Sequence, residues 1–113
     1  MPCGISSKKE TLKLKINTSN PLISTFSDHW DKGRFSSSKW DKVINVDTTT
    51  LDQLINDHGH PRYIKIDVEG FELEVLKGLT KKTGIISFEF TSEFFKDAIK
   101  CLDYLNKLGY KKF

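Results

Sequence analysis

The 113-residue sequence lacks the features typical of membrane proteins, secreted proteins and disulfide scaffolds. No apolar run approaches the roughly eighteen residues of a membrane span, and residues 1–10 contain no hydrophobic stretch of the signal-peptide kind. The two cysteines, Cys3 and Cys101, form no CxxC pair, which predicts free thiols in a reducing compartment. We therefore expect a cytoplasmic protein without a membrane contact.

The sequence also lacks a long run of charge of one sign. Its 18 basic and 15 acidic residues are interspersed and leave a net charge of +3. A nucleic-acid-binding face would gather basic residues on one side, so we expect no nucleic-acid partner. With 37% hydrophobic residues, the chain is long enough for one globular domain with a modest core.

What the chain does contain is a distinctive stretch at residues 64–79, IKIDVEGFELEVLKGL. Its first part is apolar and β-branched, which predicts a buried strand that ends near Val68. Asp67 lies at the end of this strand, and Glu69 and Gly70 form the turn that follows. An apolar stripe at helical spacing comes next, formed by Phe71, Val75, Leu76 and Leu79. The pattern predicts a strand, a tight acidic loop and a helix.

The first half of the chain has fewer regular elements. Residues 1–10 have the composition of a turn with little to pack, whereas leucine and isoleucine alternate with lysine in residues 11–16 and predict a half-buried strand. The polar stretch 17–38 is long for a loop, and it either contacts a ligand or is held to the body by its aromatic residues. Residues 43–46 predict a strand, and Thr50 with Gln53 predicts a capping box that begins a helix through Asp57.

The remainder repeats the alternation of strand and helix. Residues 85–90 predict a second buried strand that ends in a carboxylate, Glu89. Thr91 and Ser92 are suitable caps for a helix that runs to about Leu108. Residues 110–113 then resemble the start of a strand. The apolar stripe expected to face the core comprises Phe95, Ala98, Ile99, Leu102 and Leu105.

This alternation predicts an α/β fold with a mostly parallel sheet and helices on the faces. Parallel strands would bring Asp67, Glu69 and Glu89 together at one rim, where open α/β folds bind ligands. Such carboxylates can act as a general base or hold a divalent ion. Ion pairing with Lys65 is the alternative, and the sequence leaves both open. The His58 and His60 pair has no third metal ligand near it in the sequence.

Four segments together resemble one known family: residues 50–55 (TLDQLI), 64–79, 86–90 (ISFEF) and 108–110 (LGY). In order and spacing they are similar to the carboxyl-terminal half of the FkbM family of S-adenosylmethionine-dependent methyltransferases. The resemblance covers roughly residues 43–110, and ISTF at residues 23–26 adds a weaker similarity.

The resemblance implies a class I methyltransferase fold, which is Rossmann-like, and transfer of a methyl group from S-adenosylmethionine. The expected acceptor is a hydroxyl on a sugar or natural-product-like small molecule. Asp67 would end the fourth strand and orient or deprotonate this hydroxyl, with Glu69 and Glu89 assisting. By analogy with catechol-type O-methyltransferases, the resemblance also suggests a divalent metal.

Members of this family also have a glycine-rich turn for the cofactor, and no two of the seven glycines here are spaced as G-x-G. We therefore expect a truncated, partial domain over residues 1–113, with a strand and long loop in 1–42 and the alternating elements in 43–113. Its partner would be the missing amino-terminal half or a second copy in a homo-oligomer. The alternatives are a non-catalytic module that binds a partner subunit, and carbohydrate binding through Trp30, Phe35 and Trp40.

Overall fold

The computed structural model describes residues 2–16, 26 and 42–113, and all structural statements concern these residues. The chain order of elements is β1 (Gly4–Ile5), β2 (Thr11–Ile16), β3 (Lys42–Thr49), α1 (Leu51–His58), β4 (Tyr63–Ile66), α2 (Glu72–Lys77), β5 (Ile85–Phe88), a 3-10 helix (Ser92–Phe94) and α3 (Phe95–Leu108). Within these ranges, no helix has the length and apolar character required to cross a membrane.

Three of the strands form a mixed sheet in the order β1, β3, β2. β1 is parallel to β3, whereas β2 is antiparallel to β3 over six residue pairs from Thr11 opposite Asp47 to Ile16 opposite Lys42. The expectation of a mostly parallel sheet therefore does not hold for this sheet. The alternation in β2 predicted the strand correctly, but alternation identifies the two faces of a strand and carries no information about its direction.

The amino-terminal residues are packed more closely than their turn-like composition predicted. Ser6 is fully buried, and its N–H donates to the carbonyl of Thr49 at 2.8 Å. The hydroxyl of Thr48 accepts the N–H of Glu10 at 3.1 Å and lies 2.9 Å from the carbonyl oxygen of Lys8. These hydrogen bonds hold residues 4–10 against the end of β3, because buried backbone groups need partners.

β4 and β5 form a separate parallel pair, from Tyr63 opposite Ile85 to Ile66 opposite Phe88. Ile66 is 3% exposed and faces the helices, whereas Tyr63 and Ile85 are exposed on the opposite face. The prediction of buried strands is therefore correct for one face only. The helices expected on both faces cover a single face of this pair in the described part of the chain.

The core lies between the β4–β5 pair and the helices, and α2 with the residues next to it contributes the stripe that the sequence predicted. Its fully or nearly fully buried members include Val75, Leu76 and Leu79. The cap of α1 is also confirmed, since Thr50 Oγ1 accepts the N–H of Gln53 at 3.1 Å. The buried cluster as a whole comprises Leu51, Ile66, Val75, Leu76, Leu79, Cys101 and Leu105.

The second half of the predicted capping box is replaced by a different contact. The Gln53 side chain donates to Asp57 Oδ1 at 2.9 Å, one helical turn further along α1. This contact is an ordinary i to i+4 pair on the exposed side of the helix. Gly59, with a φ of 94°, ends α1 as expected and donates its N–H to Ile55 at 2.8 Å.

α3 buries only part of the stripe that the sequence predicted. Ala98 and Leu105 are buried as expected, whereas Phe95, Ile99 and Leu102, hereafter the outer stripe of α3, are exposed. Phe94 and Cys101 take their place in the interior. Both stripes are apolar at helical spacing, so the pattern did not separate them. The buried stripe contains the small side chains of Ala98 and Cys101, which allow a closer approach of helix and sheet.

The ends of α3 also differ in part from the prediction. Thr91 makes no cap hydrogen bond, and a 3-10 turn precedes the helix. Gly109 ends α3 with a φ of 108°, and the N–H of Tyr110 donates to the carbonyl of Leu105 at 3.1 Å, as predicted for a glycine-terminated helix. Tyr110 begins no strand; its hydroxyl instead contacts the backbone of Thr83.

Gly78, after α2, is the point where the amino-terminal residues and the helices meet. Any residue can adopt its φ of −77°, so the conformation does not require glycine. Glycine is required because there is no space for a side chain. A Cβ atom at this position would lie 2.5 Å from the backbone oxygen of Ser6.

We predict that Gly78→Ala lowers the free energy of unfolding by about 1–3 kcal/mol, because the added methyl group forces the two backbone segments apart. Urea denaturation monitored by circular dichroism measures this change. Asn56→Ala on the exposed side of α1 is the control, with an expected change within about 0.5 kcal/mol. Equal stability of Gly78→Ala and the unmodified chain would show that the close contact is unimportant.

Candidate functional site

The ends of β4 and β5 place two carboxylates next to each other. Asp67 follows β4 directly, Glu89 follows β5, and the N–H of Glu89 donates to the carbonyl of Ile66 at 3.4 Å, which continues the pairing past the strands. Because the strands are parallel, both carboxylates emerge at the same edge. A cleft at this edge is lined by Asp67, Glu69, Gly70, Glu72, Glu89, Phe90, Thr91 and Phe94. The structure thus brings the three sequence-predicted residues together.

Lys65 connects two of these carboxylates. Its Nζ lies 3.2 Å from Glu89 Oε1 and 3.7 Å from Asp67 Oδ2, so the ion pairing weighed from the sequence is present. The hydrogen bond to Glu89, followed by the charges of Glu89 and Asp67, raises the pKa of Lys65. The Lys65 side chain is 55% exposed, contrary to the expected interior position. Ion pairs in such exposed positions contribute little to stability, so this one mainly arranges charge at the cleft.

The loop between β4 and α2 has an unusual backbone. Glu69 has a φ of 51° and Gly70 a φ of 93°, so two successive residues adopt the left-handed region. Positive φ is uncommon for a residue with a side chain, and here it directs the loop sharply from strand to helix. Phe94 packs against this turn, since a Cβ at Gly70 would lie 3.1 Å from Phe94 Cζ. Glycine is therefore required here for both conformation and space.

Glu72 is a member of the cleft that the sequence did not identify. Its residue is 8% exposed, and Oε1 accepts the N–H groups of Val68 at 3.4 Å and Gly70 at 3.2 Å. Burial raises the pKa of Glu72, while these N–H groups act in the opposite direction. The sequence pattern could have identified it, because position 72 precedes Val75 and Leu76 by three and four residues and so lies on their buried face.

Phe26 is the described residue of the long polar segment, and it contacts the same loop. Its ring packs against Phe71 with a centroid distance of 5.6 Å. This contact agrees with the alternative in which an aromatic residue holds the segment to the body. The other aromatic residues considered for carbohydrate binding, Trp30, Phe35 and Trp40, lie outside the described residues.

Thr91 presents an unpaired polar atom at the cleft. Its Oγ1 is buried and has no hydrogen-bond partner among the described residues. A buried hydroxyl without a partner costs free energy, so each such group calls for an explanation. Replacing this hydroxyl by an apolar group of similar shape should therefore not destabilise the fold.

Metal ligands do not converge in the described ranges, where no group of three or more His, Cys, Asp or Glu side chains is placed to hold an ion. His60, from the HxH pair, instead contacts the hydroxyl of Thr83 through Nδ1 at 3.3 Å. Cys101 is buried, and desolvation together with the charges of Glu72 and Asp97 raises the pKa of its thiol to about 12. Burial and a raised thiol pKa are typical of a cysteine that packs in the core and not of a reactive one.

The cleft is small for a nucleoside cofactor. Its cavity volume is about 60 Å³, well below the roughly 300–1,000 Å³ typical of small-molecule sites. The seven glycines of the chain also provide no G-x-G turn against which a cofactor could lie. The residues present therefore fit an acceptor group or part of a cofactor, but they do not form a complete site for S-adenosylmethionine.

Comparison with known families gives one match of high coverage. The model of the methyltransferase FkbM domain matches residues 1–112, which is nearly the whole chain. No curated protein and no solved structure shows a significant match to the chain.

We predict that Thr91→Val leaves the free energy of unfolding unchanged or raises it by about 1 kcal/mol, because it removes an unpaired buried hydroxyl. Thr48→Val is the matched control. It deletes a paired hydroxyl and should lower the free energy of unfolding by about 1–3 kcal/mol. Thermal and urea denaturation measure both changes. A loss at Thr91 as large as that at Thr48 would show that the Thr91 hydroxyl has a partner in the folded protein.

Proposed function

The chain belongs to the FkbM methyltransferase family, and on this premise we propose that it serves the transfer of a methyl group from S-adenosylmethionine to a hydroxyl. The proposed acceptor is a sugar or a natural-product-like small molecule. The observation that carries the proposal is the acidic cleft at the carboxyl ends of two parallel strands, lined by Asp67, Glu69 and Glu89. Open α/β folds bind their ligands in this position.

The proposed role of Asp67 follows from the chemistry of the acceptor. A hydroxyl that gains a methyl group must lose its proton, and a carboxylate in hydrogen-bond contact can orient the hydroxyl and accept this proton. Lys65 lies between Asp67 and Glu89, and its positive charge offsets the repulsion between them. In the proposal, Glu69 and Glu89 assist by binding the acceptor.

The proposal assigns only part of the methyltransferase site to these residues. The acidic residues of the site belong to this chain. None of its seven glycines forms the G-x-G turn that is expected to contact the cofactor. We propose that residues outside this chain complete the cofactor site, either from a longer protein or from another subunit. The two free cysteines support a cytoplasmic location.

We expect Asp67→Asn to lower the turnover of methyl transfer by about 100-fold or more, because asparagine preserves the shape but does not accept the hydroxyl proton. The measurement is transfer of labelled methyl groups to a panel of sugars and small hydroxyl compounds, with the longest natural form of the protein. Asp103→Asn on the exposed side of α3 is the control. Unchanged turnover in Asp67→Asn would exclude the proposed role.

A second candidate function, a non-catalytic module that binds a partner subunit or a second copy of the chain, is favoured by a different observation. The outer stripe of α3 is 37–57% exposed. Phe90 extends the stripe, with its ring centroid 6.2 Å from that of Phe95. Contiguous exposed apolar groups of this kind are typical of interaction surfaces.

Titration calorimetry with S-adenosylmethionine distinguishes the two candidates. The longest natural form of the protein should bind the cofactor if it is a methyltransferase, and should release no binding heat if it is a module. The isolated 113-residue chain should bind weakly or not at all, because the glycine-rich side is missing. Tight binding by the isolated chain would contradict the proposal that the site is partial.

A further inference from the structure

We propose that Glu72 is a positioning residue for the transfer reaction, because its buried carboxylate holds the shape of the loop that presents Asp67 and Glu69. This inference rests on the proposed function and adds a residue to it. Glu72 acts on the acceptor only through the loop.

The geometry of the loop carries the inference. A single oxygen, Oε1 of Glu72, accepts N–H groups from Val68 and Gly70, two residues apart, at 3.4 and 3.2 Å. These two amides lie on either side of Glu69, the residue with a φ of 51°. Holding both amides at one point closes the backbone into a tight turn and supports the uncommon conformation between them.

The position of Glu72 argues against an ordinary contribution to stability. It shares the buried face of α2 with Val75 and Leu76. An apolar side chain would be the simpler choice at such a position, because burying a carboxylate costs free energy. Two of the N–H groups that offset this cost, those of Val68 and Gly70, belong to the loop, so the acid at this position supports the shape of the loop.

The same loop is supported from its other sides by aromatic rings. Phe94 packs on Gly70, and Phe26 packs on Phe71 at the end of the loop. These contacts restrict where the loop can move, but they provide no hydrogen bond to its amides. Glu72 is thus the described group that determines the direction of the N–H groups, and with them the placement of the neighbouring carboxylates.

The decisive variant is Glu72→Met, which has a similar volume, suits a buried position and accepts no strong hydrogen bond. We expect it to remain folded, with faster amide hydrogen exchange at Val68 and Gly70. Because small displacements of reacting groups slow catalysis strongly, the kcat of methyl transfer should fall about 10- to 100-fold. The affinity for S-adenosylmethionine should stay the same, since the variant alters the acceptor side only.

Glu72→Gln tests whether the oxygen or the charge matters. Glutamine retains a carbonyl oxygen at this position. The kcat of methyl transfer and the exchange rates of both amides should therefore stay within a few-fold of those of the unmodified protein. Glu74→Gln is the matched control on the same helix. Its carboxylate contacts Lys77 and Ser7 and makes no contact with the loop, so neither measurement should change.

Normal amide exchange or normal kcat in Glu72→Met would overturn the inference, as would a Glu72→Gln variant that is folded but as slow as Glu72→Met. If Glu72→Met does not fold, Glu72→Ala decides by the same two measurements, because it also removes the oxygen that accepts both N–H groups. If the unmodified protein transfers no methyl group, the proposed function fails. Exchange at Val68 and Gly70 then still shows whether Glu72 holds the loop.

Discussion

The parallel pairing of β4 with β5 is the constraint on which the rest of the structure depends. Parallel strands end at the same edge, so the residues that follow them, Asp67 and Glu89, are brought within reach of one lysine. The pairing also requires a crossover, which α2 provides over the face that carries Ile66. One arrangement of backbone hydrogen bonds therefore creates both the core and the acidic edge.

The loop after β4 shows how core and cleft are joined. Glu72 occupies a position on the buried face of α2, and its oxygen turns back to the amides of the loop. Gly78, at the other end of the same helix, lies against the backbone of Ser6. A helix of six residues thus lies against the residues that follow β1 at one end and against the acidic cleft at the other, which makes its placement sensitive to both.

The sequence predicted the elements and the gathering of carboxylates well, because alternation, helical spacing and strand ends are local properties. It did not predict that β2 runs antiparallel to β3, since direction depends on how the chain returns between them. On α3 it predicted the buried Ala98 and Leu105 correctly, but it included the outer stripe and omitted Cys101, because residues on both faces are apolar at helical spacing. Glu72 was not identified as a site residue, although its spacing to Val75 placed it inside. The resemblance to the FkbM family was confirmed by the match over residues 1–112.

The burial of Cys101 gives the molecule a built-in chemical reporter. Burial raises the pKa of this thiol to about 12, so at neutral pH almost none of it is the reactive thiolate, and the side chain is 1% exposed. Cys3, which is partly exposed, provides an internal reference in the same chain. The rate at which a thiol reagent modifies Cys101 relative to Cys3 therefore reports how often α3 separates from the sheet.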